Sequence, residues 1–272
     1  MSERIEQGIW AGTGVVEASR EYNTTSDFYA QLNLRGKTAA VIGPWYLPYD
    51  VVGLQLAYNL GREGLLYSVD PQGDSATERL QEVQQCGAGS STKYRDQLDR
   101  LRSYGLPLAP FQWLGSESRF THIPLPSKSL DCVADHGTFE FLSTWTSLHN
   151  RRRSIEEVVR TLRPGGIWIH HWHRKGFLSL CHETFPLDTP FETWMHGLGL
   201  NVMYCRVEND TYVFPTDNRV AEQFVNKGFS GLTWPQLVAE REGNVRDGAI
   251  IFPERELGYM LHHVYIVQKI GN

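Results

Sequence analysis

Short apolar runs that alternate with helical segments constrain the fold of this chain most strongly. Thr38–Ile42 and Leu65–Val69 are short and rich in apolar residues, as is typical of strands that are buried on both faces of a sheet. Further runs of this kind are Phe111–Leu114, Leu130–Ala134 and Ile167–Trp172. Helical patterns separate the runs, at residues 51–60, 76–86, 93–103 and 153–162. The alternation predicts an α/β fold with a doubly wound, mostly parallel sheet and helices on both faces.

The two ends of the chain depart from this alternation. Residues 4–34 have patterns that predict short helices. After Gly176 the pattern weakens, and we expect two further strands around Asn201–Val207 and Tyr259–Lys269, separated by a stretch rich in Pro, Gly and Asn. We interpret residues 1–272 as one domain, made of an N-terminal helical cover (1–36), a core (37–175), and a substrate cap or insertion with the last strands (176–272).

Composition and charge narrow the class of partner. The chain has 272 residues and is 41% hydrophobic, which is enough for one sizeable core. Its net charge of −5 does not favour a nucleic acid or an anionic membrane as partner. A polar N-terminal stretch, and no apolar run near the ~18 residues of a membrane helix, predict a cytoplasmic location. The expected partner is a small-molecule substrate, and the sequence predicts no oligomeric state.

Candidate ligand-binding residues follow the first two runs, because ligands of a parallel sheet bind at the carboxyl ends of its strands. The loop Gly43–Asp50 follows the first run and opens with Gly43, Pro44 and Trp45. This loop either lets the backbone approach a ligand near a helix N-terminus or is only a tight turn. Asp70 follows the second run. Its carboxylate either accepts hydrogen bonds from the ribose hydroxyls of a nucleotide-like cofactor or caps a helix.

Polar residues also follow the third and fourth runs. Ser116 and Glu117 come after the third run and are either contacts to an adenine edge or solvated side chains. Asp135 and His136 come after the fourth run. A histidine at this edge can take up a proton near neutral pH, as a general base must, although an isolated histidine is more often structural.

Three histidines end the fifth run. The alternation of side chains along a strand puts His171 and His173 on one face of the sheet and His170 on the other. Two histidines do not complete a zinc site, and no carboxylate at a suitable spacing joins them. We therefore predict no metal, and we interpret His173 as a general base or a substrate contact.

Several pieces of the chain, over about residues 20–175, come in an order that is typical of one family. The pieces are Glu21–Asn23 with Tyr22 at its centre, Asp70, Ile123–Asp131, Asp131–Leu142 and Leu162–Gly166. Together they resemble the class I, Rossmann-like methyltransferases that depend on S-adenosylmethionine. The resemblance implies an enzyme with S-adenosyl-L-methionine as its cofactor. It implies these cofactor contacts: Tyr22, Gly43, Pro44, Trp45, Asp70, Ser116, Glu117 and Asp135.

The cofactor loop departs from the family pattern, since Trp45 and Leu47 occupy its later glycine positions and Val41 replaces its acid. Two functions stay open. The first is methyl transfer to an oxygen or nitrogen of a small molecule, with His136 or His173 as the base. The second is a methyltransferase fold that has lost methylation and acts as another catalyst or as a binding subunit. A nicotinamide-dependent oxidoreductase fits the quoted pieces less well.

Overall fold

A computed structural model describes eleven parts of the chain. They are residues 17–44, 52–70, 91–103, 105–115, 117–139, 148–172, 197–209, 211–215, 245–246, 249–253 and 262–270. The described strands are β1 (Glu17–Thr24), β2 (Thr38–Ile42), β3 (Leu65–Val69), β4 (Phe111–Trp113), β5 (Leu130–His136), β6 (Leu162–Trp172), β7 (Leu200–Asn209), β8 (Thr211–Pro215), β9 (Val245–Arg246), β10 (Ala249–Pro253) and β11 (His262–Lys269). The described helices are α1 (Thr25–Ala30), α2 (Val52–Leu60), α3 (Ser91–Ser103) and α4 (Leu148–Thr161).

Within these residues, eight strands form one sheet in the order β1-β7-β11-β6-β5-β2-β3-β4. β2 to β6 are parallel to their neighbours among themselves, and only β11 runs antiparallel to both of its neighbours. The predicted parallel core of five strands is therefore confirmed, as is the Rossmann-like α/β fold class. The predicted strands near residues 201–207 and 259–269 are β7 and β11, which extend the same sheet.

The helices follow the apolar patterns closely. α2 ends at Leu60, directly before Gly61, as the sequence predicts. α4 begins at Leu148, a few residues before the predicted start, and ends at Thr161. α1 begins with a capping box, in which Thr24 accepts a hydrogen bond from the Asp27 backbone N–H and the Asp27 side chain accepts one from Thr24. The helix predicted over residues 76–86 lies outside the described residues.

The expectation of an all-helical cover at residues 1–36 is wrong for Glu17–Thr24, which is strand β1. This segment is polar and has no strand-like alternation, so its sequence gives no local signal for a strand. It pairs in parallel with β7, which lies far away in the sequence. Its conformation is set by backbone hydrogen bonds to β7. These bonds satisfy the backbone N–H and C=O groups of the segment, which would otherwise need partners within a helix.

The two faces of the sheet are covered by different helices. On one face, Val133 of β5 and Trp168 of β6 belong to a buried cluster with Ile155 and Val158 of α4. On the other face, α2 packs against β2 and β3, and α1 packs against α2. Since neighbouring residues of a strand point to opposite faces, these two helical layers decide the surroundings of each polar residue at a strand end.

Two of the family-like pieces, around Asp131 and at Leu162–Gly166, contact each other near the amino ends of the core strands. Leu130 pairs with Leu162 and Cys132 pairs with Ile167, so residues 163–166 bulge opposite Asp131. The Asp131 carboxylate accepts hydrogen bonds from the Thr38 backbone N–H at 2.9 Å and from Arg163 at 3.1 Å. The Leu-Arg-Pro-Gly-Gly sequence is thus a clamp between β2, β5 and β6 rather than part of a binding site.

Part of residues 176–272 forms a second, smaller sheet. Within the described residues, β8, β10 and β9 pair antiparallel in that order. β8 packs against α1, and Tyr29 of α1 contacts His171 at the end of β6. The small sheet is therefore connected to the large sheet through α1. Residues 173–196 and 216–244, which include much of the expected cap, lie outside the described residues. No described helix is long and apolar enough to cross a membrane.

Glu157 of α4 fastens the loop that leads into β5. Its carboxylate accepts hydrogen bonds from the Ile123 backbone N–H at 3.0 Å and from Arg160 at 2.8 and 3.0 Å. Arg160 also donates to the carbonyls of Ile123 and Leu125, both at 2.8 Å. Partial burial by itself would raise the pKa of Glu157, but the hydrogen bonds from Arg160 and Ile123 and the charge of Arg160 outweigh it and lower the pKa.

We expect Glu157→Gln to lower the free energy of unfolding by about 1–3 kcal/mol at pH 7. A lowered pKa stabilises the fold above the unfolded-state pKa of about 4.3, and this stabilisation disappears as pH falls through the folded-state value. The difference between wild type and variant should therefore shrink on acidification, which urea unfolding from pH 7 to pH 3 would measure. Glu156→Gln, at an exposed neighbour, is the matched control. A difference that stays constant over this pH range would contradict the prediction.

Candidate active site

The carboxyl ends of β2, β3, β5 and β6 lie at one edge of the sheet because these strands are parallel. Gly43, Asp70 and His136 each stand at the end of one of these strands. The structure thus brings three of the predicted site residues to one edge. Trp45, Ser116 and His173 lie outside the described residues, so their predicted roles stay predictions.

Position 43 requires a glycine because of its backbone conformation and its close contact with Thr138. Its φ is +60°, and a Cβ at this position would lie 2.7 Å from Oγ1 of Thr138. Thr138 in turn donates a hydrogen bond to the Ile42 carbonyl at 3.0 Å, and the Gly43 N–H donates to the Val69 carbonyl at 2.9 Å. Pro44 beside it is buried. The tight-turn interpretation therefore accounts for Gly43 itself.

Asp70 is held in place through its backbone at the end of β3. Its N–H donates to Oγ of Ser118 at 3.2 Å, and its carbonyl accepts from Nε1 of Trp113 at 2.9 Å. Ser118 is fully buried, whereas Glu117 beside it is exposed on a turn. Asp70 itself is only 8% exposed. Sequence reasoning selected Ser116 and Glu117 after β4 and missed Ser118, since only the fold brings that hydroxyl beneath β3.

Asp135 does not lie where a cofactor or a substrate could meet its carboxylate. It is fully buried on the α4 face. The carboxylate accepts hydrogen bonds from Nε1 of Trp168 at 2.8 Å and from the Phe139 N–H at 3.1 Å, and Nδ1 of His170 lies 3.0 Å from both of its oxygens. Gly137, with φ of +68°, turns the chain so that Phe139 reaches it. The predicted contact to the cofactor amine is therefore wrong, and Asp135 organises the core.

His136 has the opposite orientation and environment. It is partly exposed at the end of β5 and pairs across the strands with His171 of β6. Their rings are 6.0 Å apart in an edge-to-face arrangement. His171 is fully buried, stacks on Tyr29 of α1, and lies with Nε2 2.9 Å from the Tyr29 hydroxyl. An accessible imidazole thus rests against a buried, hydrogen-bonded histidine.

The backbone of Tyr22 lies in the sheet several strands away from the strands that carry Gly43 and Asp70. It lies in β1, at the margin of the sheet, where its backbone pairs with Val207 of β7. Five inter-strand steps separate β1 from β2, roughly 24 Å at the usual spacing of strands. The side chain of Tyr22 lies outside what the structure describes, so its predicted contact with the cofactor stays a prediction. Tyr29, seven residues on, is the tyrosine that the fold brings beside the histidines.

The histidines at the end of β6 do not form a metal centre within the described residues. His170 and His171 point to opposite faces, where Asp135 and Tyr29 engage them. Over the parts of the chain that the structure describes, no group of three or more His, Cys, Asp or Glu side chains could hold a metal ion.

Comparisons with known proteins relate part of the chain to a family. Residues 84–170, about a third of the chain, match the family described as methyltransferase domain. A comparison with curated protein sequences gives no match. This part of the chain is similar to methyltransferase domains, in agreement with the resemblance of the sequence to that class. The match supports the predicted class of enzyme and its cofactor, S-adenosyl-L-methionine.

Three solved structures are similar to the chain at low identity. The YcgJ protein from Bacillus subtilis is 12% identical, with 90% of this chain and 97% of that chain covered and a TM-score of 0.41. A SAM-dependent methyltransferase from Methanosarcina mazei is 15% identical, with coverage of 90% and 97% and a TM-score of 0.40. A SAM-dependent O-methyltransferase from Thermotoga maritima is 9% identical, with coverage of 91% and 66% and a TM-score of 0.45. Likenesses at this level carry no argument about the substrate.

One buried side-chain acceptor stands out among the described residues. Gln55 of α2 is 2% exposed, and among the described residues its Oε1 atom has no hydrogen-bond partner. A buried acceptor without a donor destabilises a protein by about 1–3 kcal/mol, so such atoms often mark a bound group. The atom lies on the face of the sheet where α1 and α2 pack, which is also the face of His136.

Proposed function

We propose that this protein transfers the methyl group of S-adenosyl-L-methionine to an oxygen or nitrogen of a small molecule. The observation that carries the proposal is the partly exposed imidazole of His136 at the carboxyl edge of a methyltransferase-type sheet. The bound cofactor supplies an activated methyl group. The protein has to hold an acceptor atom in line with that group and, for a hydroxyl acceptor, remove its proton.

His136 is the residue that we propose as the base. Its ring lies at the edge where ligands of parallel sheets bind, and a neutral imidazole can take up a proton near physiological pH. His171 and Tyr29 support it from below and fix the floor of the site. An amine that is already neutral would need no base, and alignment alone would then promote transfer. His173 remains the second candidate for the base.

Asp70 is the proposed acceptor for the ribose hydroxyls, since Ser118 and Trp113 fix its backbone at the end of β3. Glu117, exposed on the following turn, is the proposed contact for the adenine edge. The small sheet of β8 to β10 is the proposed wall of the substrate pocket, because β8 packs against α1.

A fold that has lost methylation is the second candidate function. Two observations favour it: Thr138 fills the space behind Gly43, and Asp135 is engaged inside the core. Such a protein would bind the cofactor weakly or not at all. Calorimetry with S-adenosyl-L-methionine and with S-adenosyl-L-homocysteine separates the two functions, and an absence of binding by the wild type would contradict the first.

We expect Asp70→Ala to weaken the binding of both compounds about 10- to 100-fold. The variant leaves two ribose hydroxyls without a charged acceptor, and such hydrogen bonds contribute about 1.5–3 kcal/mol. Glu63→Ala is the matched control, because Glu63 is exposed near the amino end of the same strand. Unchanged affinity in Asp70→Ala, with the fold intact by circular dichroism, would exclude the assignment.

A further inference from the structure

Tyr29 and His171 form a polar pair at a position where two apolar rings would also pack. Both residues are fully buried, and the Tyr29 hydroxyl lies 2.9 Å from Nε2 of His171. Their rings stack with 8° between the planes and 5.7 Å between the centroids, and Phe28 packs edge-to-face on His171. Replacing both partners of a buried hydrogen bond by apolar groups of similar shape is often neutral for stability. Stability alone therefore does not explain this pair.

The helix that carries Tyr29 is held at several points. α1 has six residues, which is too short for a helix that is stable by itself. A capping box closes its first turn, and Oγ of Ser26 accepts a hydrogen bond from Nε2 of Gln55 in α2 at 2.9 Å. β8 of the small sheet also packs against it. Together these contacts keep the Tyr29 hydroxyl in one position beside His171.

His171 in turn limits the orientations that the His136 ring can adopt. The two residues pair across β5 and β6, and the Gly137 N–H donates to the His171 carbonyl at 3.0 Å, so the backbone of both is fixed. Their rings meet edge-to-face at 6.0 Å, with 70° between the planes. The hydrogen bond with Tyr29 fixes the ring plane of His171 and determines which of its nitrogens carries a proton. His136 thus packs against a rigid ring while it stays partly exposed.

We propose that Tyr29 and His171 are positioning residues, which hold the His136 ring in the orientation that it needs to take the proton of a hydroxyl acceptor. This inference rests on the proposed function, in which His136 is the base. The proton moves from the hydroxyl to a ring nitrogen of His136, and the oxygen keeps the electron pair that bonds the methyl group. Small misplacements of reacting groups lower rates strongly. Tyr29 acts through His171, so its loss should lower kcat and leave KM unchanged.

A double-mutant cycle with Tyr29→Phe and His136→Gln tests the proposal, because Tyr29→Phe keeps the stacked ring and removes only the hydroxyl. Turnover is measured as release of S-adenosyl-L-homocysteine from S-adenosyl-L-methionine, with a series of phenols as hydroxyl acceptors. We expect Tyr29→Phe to lower kcat about 5- to 50-fold, with both KM values within about threefold. In the His136→Gln background we expect it to lower the residual rate by less than about twofold. Tyr58→Phe, at a partly exposed tyrosine of α2, is the matched control and should keep the wild-type kcat.

Nitrogen NMR of the histidine rings in the cofactor-free protein gives a readout that does not depend on activity. We expect the ring signals of His136 and His171 to shift in Tyr29→Phe, because the bond that fixes His171 is lost. The signals of His149, which is exposed on α4, should stay in place. Unmoved ring signals of His136 would overturn the proposal.

The variant Tyr29→Phe/His171→Phe separates positioning from stability. It replaces both polar partners by apolar rings, so we expect it to unfold thermally within a few degrees of the wild type and still to lose kcat at least fivefold. Wild-type kcat in this variant would overturn the proposal, as would equal losses from Tyr29→Phe with and without His136. A wild type that methylates no acceptor, or that does not need His136, would contradict the proposed function. The ring signals would still decide whether Tyr29 positions His136.

Discussion

Replacing His136 with glutamine should lower turnover about 10²- to 10⁴-fold on a hydroxyl acceptor, while affinity for S-adenosyl-L-methionine stays within about threefold. Glutamine keeps the approximate size and polarity of the side chain but cannot take up a proton. The rate of S-adenosyl-L-homocysteine release, with a panel of phenols and amines as acceptors, measures the effect. A base works in its neutral form, so the wild-type rate should rise with pH along an acidic limb, and His136→Gln should lose that limb.

His149→Gln is the matched control, because His149 is exposed on α4. We expect it to keep wild-type turnover and the same pH profile. His173→Gln tests the second candidate, since His136 and His173 could share the role that the sequence assigned to either. A loss below threefold in both variants, with the acidic limb unmoved and each protein folded, would exclude a histidine base and favour transfer to a neutral amine.

Asp135→Ala should have the largest effect on stability, lowering the free energy of unfolding by about 3–5 kcal/mol. The substitution removes the common acceptor of Trp168, Phe139 and His170 in a fully buried place. Domains of this kind unfold with about 5–15 kcal/mol, so the loss is a large fraction of the total. Denaturant unfolding at pH 7 measures it.

Asp96→Ala, at an exposed position of α3, should change the free energy of unfolding by less than about 0.5 kcal/mol. Affinity for S-adenosyl-L-homocysteine, measured on folded Asp135→Ala at low temperature, tests the corrected role. If Asp135→Ala kept wild-type stability but lost this affinity, Asp135 would be a cofactor contact after all. The present contacts predict the reverse: lower stability and little change in affinity.

The parallel core was predictable because its signals are local. A strand buried on both faces must be apolar throughout, so β2, β3 and β5 are visible as continuous runs in the sequence. The carboxyl-edge positions of Gly43, Asp70 and His136 follow from the ends of those runs. The family-like pieces at Ile123–Asp131 and Leu162–Gly166 lie within the residues that match a methyltransferase domain, and in the structure they hold strands and a helix together.

The assignment of roles at the edge was not predictable in the same way. Asp135 and His136 are neighbours in sequence but lie on opposite faces of the sheet. Asp135 is buried on the face that α4 covers, whereas His136 packs against His171 on the face that α1 covers. Which face is cleft and which is core depends on helices that come from distant parts of the chain. The same dependence hid Ser118 and Tyr29, whose sequence surroundings give no sign of a special role.

The sequence by itself determined the five strands of the parallel core and the edge at which their carboxyl ends meet, because the apolar runs of these segments encode them. Only the tertiary structure decided that β1 is a strand, that Tyr29 contacts His171, and that Asp135 accepts hydrogen bonds from core residues. The physical reason is that hydrogen-bond partners and burial come from segments that are far apart in the chain. Such pairings satisfy backbone and side-chain groups in ways that no local pattern records.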